Sequence, residues 1–196
     1  MIYEKKYLDK LKGAGKISRL AKKIIVYTKI KKYKYENVLD YGCGDLSFLR
    51  YVKSLKKEIN VTGLDVNPAV KELCEKNNIN YVSKISEYME GEFDLIMCDN
   101  VLEHINDWKG TISQLSQVLS SDGVIIAGVP GLTGYSHDDT HQNFITDYDI
   151  IRTSTNLELK IIDRFFYPIN IGVIARVMQV FSRHVIFYYI ISKRKV

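Results

Sequence analysis

Two apolar runs, the first interrupted only by Asp94, constrain the fold of this chain more than any other feature. They are FDLIMC, from Phe93 to Cys98, and GVIIAGV, from Gly123 to Val129. A strand with one solvated face alternates apolar and polar residues, whereas continuous runs suit strands that helices cover on both faces. Similar short runs alternate along the chain with segments of helical period. We therefore expect an α/β fold, doubly wound around a buried and mainly parallel sheet.

The same periodicities predict the bounds of the elements. The predicted strands are Asn37 to Tyr41, Asn60 to Leu64, Tyr81 to Val82, Phe93 to Cys98, Val124 to Val129, Leu157 to Tyr167 and Val185 to Ser192. The predicted helices are about Ser47 to Lys57, one that opens at Pro68, Trp108 to Leu119 after an Asp107 cap, one from a Thr146 cap to Thr153, and Gly172 to Ser182.

Charge is distributed unevenly along the 196 residues. Residues 1–35 carry a net charge of +10, residues 36–175 carry −10, and residues 176–196 carry +5. We predict a basic N-terminal helical arm over residues 1–35 and one domain over residues 36–196. The three scattered cysteines predict buried, reduced thiols and a cytoplasmic location. No uncharged stretch is long enough to cross a bilayer.

The segment VLDYGCGDLSFL, residues 38–49, combines a strand that ends in Asp40, a turn Gly42-Cys43-Gly44 and the start of a helix. Ligands bind at such carboxyl edges of parallel sheets. A dinucleotide fingerprint would need glycine where this chain has Ser47, and Asp40 and Asp45 would repel a pyrophosphate. A nicotinamide-dependent oxidoreductase is therefore disfavoured.

The next strand also ends in an acidic residue. Asp65, in VTGLDVNP, lies 21 residues beyond Gly44, where a carboxylate can accept hydrogen bonds from ribose hydroxyls. A ligand with a positive amino group and no phosphate suits this pair, and S-adenosyl-L-methionine is such a ligand. The alternative is that Asp40 and Asp65 only cap the helices that follow them.

These two motifs, followed in order by FDLIMCDNVLEHI, LSQVLSSDGVIIAGVP and HQNFIT, resemble the class I S-adenosylmethionine-dependent methyltransferases. The resemblance covers residues 36–193 and is strongest to the branch with the ubiquinone-type and type 11 small-molecule enzymes. It implies a Rossmann-like sheet of seven strands with an antiparallel last strand. It also implies that the cofactor is S-adenosyl-L-methionine.

The resemblance implies a role for each matching residue. At the methionine end of the cofactor lie Asp40, Gly42, Cys43, Gly44, Cys98 and Asp99; at the ribose lies Asp65; at the adenine lie Val66, Ser83 and Ile85; His104 lies where this branch commonly carries histidine. Two positions depart from the family pattern. Leu46 replaces a third glycine, and Ser83-Lys84-Ile85 replaces the acidic residue that binds the adenine amino group.

The pair Glu103-His104 and the loop after the fifth strand offer further chemistry. Acidic residues beside such a pair are metal ligands in ubiquinone-type enzymes, but this chain has Asn100 at the preceding acidic position, so we predict no metal. The loop carries His137 and His141, and either is a candidate base for removing an acceptor proton. The alternative is a polar loop in which His141 anchors the following helix.

The basic ends permit three interpretations. A helix can pack Ile17, Leu20, Ile24 and Tyr27 on the domain; the ends, with the apolar segment Ile169 to Phe181, can contact an anionic membrane; or the arm can bind nucleic acid, for which no base-binding fold is visible. We predict methyl transfer to an oxygen of a small-molecule or lipid-linked acceptor. The alternative is a non-enzymatic module that acts through its arm at a membrane or nucleic acid.

Overall fold

The computed structural model describes residues 16–56, 58–87 and 90–193. For residues 16–19 and 87 it describes the backbone only. Its seven strands form one sheet in the order β3-β2-β1-β4-β5-β7-β6. β7 runs antiparallel to both of its neighbours. The predicted doubly wound α/β sheet with an antiparallel last strand is confirmed. The strands are β1 (Asn37–Tyr41), β2 (Asn60–Leu64), β3 (Asn80–Val82), β4 (Phe93–Asp99), β5 (Leu119–Pro130), β6 (Lys160–Tyr167) and β7 (Ile186–Ser192).

The helices lie on both faces of this sheet. They are α1 (Lys16–Ile30), α2 (Ser47–Leu55), α3 (Ala69–Lys76), α4 (Trp108–Val118), α5 (Leu132–Tyr135), α6 (Asp147–Asn156) and α7 (Gly172–Met178). The predicted caps are confirmed. The Asp107 side chain accepts a hydrogen bond from the Gly110 amide, and Thr146 forms a capping box with Asp149. Single 3₁₀ turns follow β3 and β4, at Ile85–Glu87 and Leu102–His104.

Most predicted bounds agree with the structure, but β5 begins at Leu119, five residues before the predicted Val124. β6 begins at Lys160 rather than Leu157, because Glu158 has a φ of +55°, which no strand residue adopts. α7 ends at Met178, four residues before the predicted end. Lys57, residues 1–15 of the predicted arm and the last three residues of the chain lie outside the described residues.

The buried strands divide the core into two layers. Ile96 and Cys98 of β4 pack on one face together with α4, whereas Leu95 and Met97 pack on the other face with α1 and α2. The continuous apolar runs are therefore covered on both sides, as predicted. The three cysteines are buried and free. Within the described part of the chain, no helix is long and apolar enough to span a membrane.

Helix α1 packs on the domain. Val26 and Ile30 are buried in the core, whereas Leu20 and Ile24, which the sequence assigned to the packed side, are exposed. That assignment is wrong because the buried stripe of the helix passes through Val26 and Ile30, which turns Leu20 and Ile24 towards solvent. Tyr27 is half-buried, and the side chain of Ile17 lies outside the described part. The domain boundary at residue 35 stays a prediction.

Candidate functional site

Three carboxylates lie at one edge of the sheet, where the strand order reverses. β1 pairs with β2 on one side and with β4 on the other, and their carboxyl ends carry Asp40, Asp65 and Asp99. Chains leave this point in opposite directions, so a crevice opens between β1 and β4. The edge of the sheet therefore presents the residues that the motifs singled out.

Hydrogen bonds fix the turn between β1 and α2. The amides of Gly42 and Cys43 donate to the Leu64 carbonyl at 2.7 and 3.1 Å, and the Gly44 amide donates to Asp65 Oδ2 at 2.9 Å. Gly42 has a φ of +78°, and a Cβ there would lie 2.3 Å from Val101 Cγ2. Both the backbone conformation and the neighbouring side chain therefore require glycine at this position.

The structure also shows what the two aspartates do for the fold. Asp65 Oδ1 accepts a hydrogen bond from the Asn67 amide at 2.8 Å, so its carboxylate joins two turns and caps no helix. Asp40 is buried, and the N-cap of α2 is Leu46, which no side chain caps. Capping alone therefore accounts for neither residue.

The third residue of the family's glycine pattern is Leu46, and the backbone compensates for the substitution. Leu46 has φ 59° and ψ 18°, the left-handed conformation that glycine favours, and its side chain is fully buried. Strain at such a residue costs about 1–3 kcal/mol, and burial of a leucine contributes about 1.5–3 kcal/mol. The turn thus keeps a glycine-like path without the glycine.

Charge in the crevice is strongly negative and only partly balanced. Burial, with smaller contributions from the Asp99, Asp65 and Asp45 charges, raises the pKa of Asp40 well above its ordinary range. Asp99 is paired on both oxygens: Lys22 Nζ lies 2.5 Å from Oδ2, and the Tyr188 hydroxyl donates to Oδ1 at 2.8 Å. A cationic ligand would stabilise the ionised form of Asp40. The ammonium and sulfonium groups of S-adenosylmethionine fit this requirement.

The remaining predicted cofactor residues differ in the exposure of their side chains. Val66 is 92% exposed beyond β2, Ser83 is exposed beyond β3, and Ile85 is buried in the core. The side chains of Cys43 and Cys98 are buried as well, so these two can offer only their backbone to a ligand. Asn100 Oδ1 is buried and has no hydrogen-bond partner among the described residues. The roles of all these residues stay predictions.

A second cluster joins the loop after β5 to the 3₁₀ turn after β4. Glu103 is 1% exposed, and neither carboxyl oxygen has a hydrogen-bond partner within the described ranges. His141 Nε2 lies 3.8 Å from Glu103 Oε1, and the rings of His104 and His141 lie 4.6 Å apart. The amides of Gln142 and Asn143 donate to the Glu103 carbonyl, which fixes the loop.

Hydrogen bonding selects the tautomer of the neutral His141 ring. Its Nδ1 lies 2.8 Å from the Tyr135 carbonyl oxygen, and because a carbonyl only accepts, Nδ1 carries the hydrogen. Nε2 is then unprotonated in the neutral ring and can take a proton. Burial raises the pKa of Glu103 to about 8. Burial, and then the proximity of His141, lowers the pKa of His104.

The structure separates the two candidate bases. His141 belongs to the cluster, whereas the side chain of His137 is exposed on the loop surface. Sequence analysis missed Glu103 as a partner of His141; the available signal was that both follow the carboxyl ends of adjacent strands. Ligand atoms of Glu103, His104 and His141 lie within 4.8 Å of one another, which could hold a metal ion. The prediction that no metal binds stays a prediction.

Comparison with known proteins decides the family. A model of the methyltransferase-domain family matches residues 6–160, most of the chain. The chain belongs to the class I S-adenosylmethionine-dependent methyltransferases. S-adenosylmethionine is the cofactor of this family, as the carboxylates of the crevice require.

Individual methyltransferases resemble this one to different extents. The mitochondrial ubiquinone biosynthesis O-methyltransferase of Saccharomyces cerevisiae is 33% identical over 90 residues, which are 41% of this chain and 29% of the yeast protein. The chain spans less than half the length of the curated relatives it matches.

Solved methyltransferase structures share the fold. A S-adenosylmethionine-dependent methyltransferase of Archaeoglobus fulgidus has a TM-score of 0.70 at 17% identity, over 89% of this chain and 95% of that one. The 1,6-didemethyltoxoflavin-N1-methyltransferase of Burkholderia thailandensis, solved with S-adenosylhomocysteine, has a TM-score of 0.69 at 16% identity, over 98% of this chain and 86% of that one. At such identities the likeness is one of fold.

Replacing Asp65 tests cofactor binding. In Asp65→Asn we expect the Kd values of S-adenosylmethionine and S-adenosylhomocysteine to rise together by about tenfold, because an amide oxygen accepts a ribose hydroxyl more weakly than a carboxylate does. Isothermal calorimetry measures both values. Asp122→Asn, an exposed aspartate on β5, is the matched control. Unchanged binding in Asp65→Asn would contradict the ribose assignment.

Replacing Glu103 tests its protonation. Because its pKa is about 8 in the folded protein and near 4.5 when unfolded, the neutral form stabilises the fold at low pH. That contribution is complete below pH 4.5 and is lost as the pH rises through 8. We expect the free energy of unfolding in urea to fall over this range in the wild type, and to fall less in Glu103→Gln. Parallel curves for the two proteins would show that Glu103 titrates normally.

Proposed function

We propose that the protein transfers a methyl group from S-adenosylmethionine to an oxygen atom of a small-molecule or lipid-linked acceptor. The observation that carries this proposal is the contact of His141 Nδ1 with the Tyr135 carbonyl, which leaves Nε2 facing the buried Glu103 next to the carboxylate crevice. Asp99 and Lys22 both influence the pKa of Glu103, so the two clusters are close enough to interact. The cofactor crevice and a candidate base thus adjoin each other.

This chain's residues have two tasks in such a reaction. When bound, S-adenosylmethionine supplies an electrophilic methyl group on a positively charged sulfur. Asp40, Asp65 and the glycine turn hold its two ends, and this positioning accounts for most of the acceleration of an in-line displacement. An acceptor hydroxyl loses its proton as its oxygen bonds to the methyl carbon and the carbon–sulfur pair returns to sulfur. His141 Nε2 takes that proton, and the imidazolium then faces Glu103 Oε1 at 3.8 Å.

The relatives are consistent with oxygen but do not decide the atom. The yeast relative is by name an O-methyltransferase of ubiquinone biosynthesis, whereas the Burkholderia protein is by name an N1-methyltransferase. A base beside the acceptor favours oxygen, because a hydroxyl must lose its proton during transfer while a neutral amine can attack first. No observation favours the alternative of a non-enzymatic module or of an arm that binds nucleic acid.

An exposed apolar surface indicates the class of acceptor. We define the α7 surface as the five exposed side chains Ile171, Val173, Val177, Val180 and Phe181. No acidic residue occurs between Ile169 and His184, whereas Arg176 and Arg183 are basic, and Arg176 also pairs with Asp147 Oδ2 at 2.8 Å. Apolar side chains among basic ones suit the surface of an anionic bilayer.

Hydrogen bonds link the end of α7 to α5, the helix that orients the candidate base. The Thr133 amide of α5 donates to the Gln179 carbonyl at 3.0 Å, and α5 also carries the Tyr135 carbonyl that orients His141. A bilayer in contact with α7 would therefore lie beside the acceptor side of the site. This arrangement supports a lipid-linked acceptor that is methylated at the membrane surface.

Replacing His141, the candidate base, tests the proposed methyl transfer. The full chain is incubated with S-adenosylmethionine labelled in the methyl group and a lipid extract, and transfer of label to lipid is measured. We expect His141→Asn to lower the rate by about 10²–10⁴-fold, the usual contribution of a general base. His137→Asn, at the exposed histidine of the same loop, should keep the wild-type rate. Equal rates in all three proteins would remove His141 from the mechanism.

Vesicle binding tests the α7 surface. We expect the wild type to sediment with vesicles that contain phosphatidylglycerol and less with pure phosphatidylcholine. Phe181→Asp together with Val173→Asp should abolish this sedimentation, because each change places a charge at the bilayer contact. Leu55→Asp, at an exposed leucine of α2, is the matched control. The membrane contact would be contradicted if the wild type did not bind the vesicles. It would also be contradicted if analytical ultracentrifugation showed dimers that form through this surface.

A further inference from the structure

Lys22 reaches from the N-terminal helix into the crevice. Its Nζ lies 2.5 Å from Asp99 Oδ2, and the two side chains are 25% and 22% exposed. The helix is held in place because Val26 and Ile30 are buried in the core. Lys22 thus brings a fixed positive charge to the point where the strand order reverses, and the chemistry proposed above makes no use of it.

The surroundings of Lys22 make its charge matter. Asp40, Asp65 and Asp99 lie at the same edge, and Asp99 receives a second hydrogen bond from Tyr188. The Lys22 charge lowers the pKa of both Asp40 and Glu103, opposing the effect of their burial. The ammonium therefore acts on the whole edge rather than on Asp99 alone.

The methyl donor and its product differ by one unit of charge at one atom. S-adenosylmethionine has a sulfonium, whereas S-adenosylhomocysteine has a neutral thioether, and their amino, carboxyl, ribose and adenine groups are the same. A fixed charge in the crevice acts on the groups that both ligands share, and it acts on the sulfonium of the donor in addition, so it changes the ratio of the two affinities.

We propose that Lys22 determines the preference of the crevice between methyl donor and demethylated product. This inference rests on the proposed function, in which S-adenosylmethionine binds between β1 and β4. The positive charge of Lys22 repels the sulfonium of the donor, whereas the neutral thioether of the product experiences no such repulsion. The carboxylates attract the donor, and the Lys22 ammonium offsets part of that attraction. Product inhibition is consequently stronger than the carboxylates alone would allow.

The expected effect can be measured as a ratio. The ratio of the two Kd values, product over donor, should rise about tenfold in Lys22→Met, the order of effect expected when one unit charge is removed from a partly screened site. Lys22→Arg keeps the charge and should keep the wild-type ratio. Lys29→Met removes an equal charge from the same helix, where Lys29 pairs with Asp163, and is the matched control.

Isothermal calorimetry with both ligands, on the full chain at low and high salt, decides between the outcomes. A rise in the ratio for Lys22→Met only, which shrinks as salt is added, supports the proposal. An unchanged ratio in a variant that binds both ligands overturns it, as does an equal loss of both affinities, which would mean that Lys22 only holds α1 in place. If the wild type bound neither ligand, the proposed function itself would fail.

Discussion

The site depends on the hydrogen bonds that tie the turn after β1 to the end of β2. Two amides of the turn donate to the Leu64 carbonyl, and a third donates to the Asp65 carboxylate. These bonds fix the direction in which α2 leaves the sheet and the position of Asp40 near the carboxyl end of β1. Because Asp65 serves both the turn and the predicted ribose contact, one side chain couples the shape of the crevice to its ligand.

The fold was predictable where burial is continuous. The runs FDLIMC and GVIIAGV favour a sheet that helices cover on both faces, and the Asp107 and Thr146 caps have side chains that signal a helix start. The packed face of α1 was not predictable, because the rotation of a lone amphipathic helix is set by the surface it meets. Sequence also did not show that Leu46 would adopt the left-handed backbone conformation that glycine usually provides.

The site was predictable where topology alone brings residues together. Asp40 and Asp65 end adjacent parallel strands, so their meeting at one edge follows from strand order. The pairing of Glu103 with His141 and the position of Lys22 were not recognised, because both come from burial and from contacts with residues distant in sequence. The choice between His137 and His141 likewise depends on a single carbonyl, that of Tyr135, which sequence does not place.

The contact between Tyr188 and Asp99 has a consequence for how the site is assembled. The two residues are 89 positions apart, and Tyr188 lies on β7, the last of the seven strands along the chain, which pairs with β5 and β6. As a ribosome releases the chain from its N-terminal end, β1 to β4 emerge well before β7 does. The nascent protein therefore exposes an Asp99 that lacks its tyrosine partner until β7 has been made, and its crevice is complete only when β7 pairs with β5.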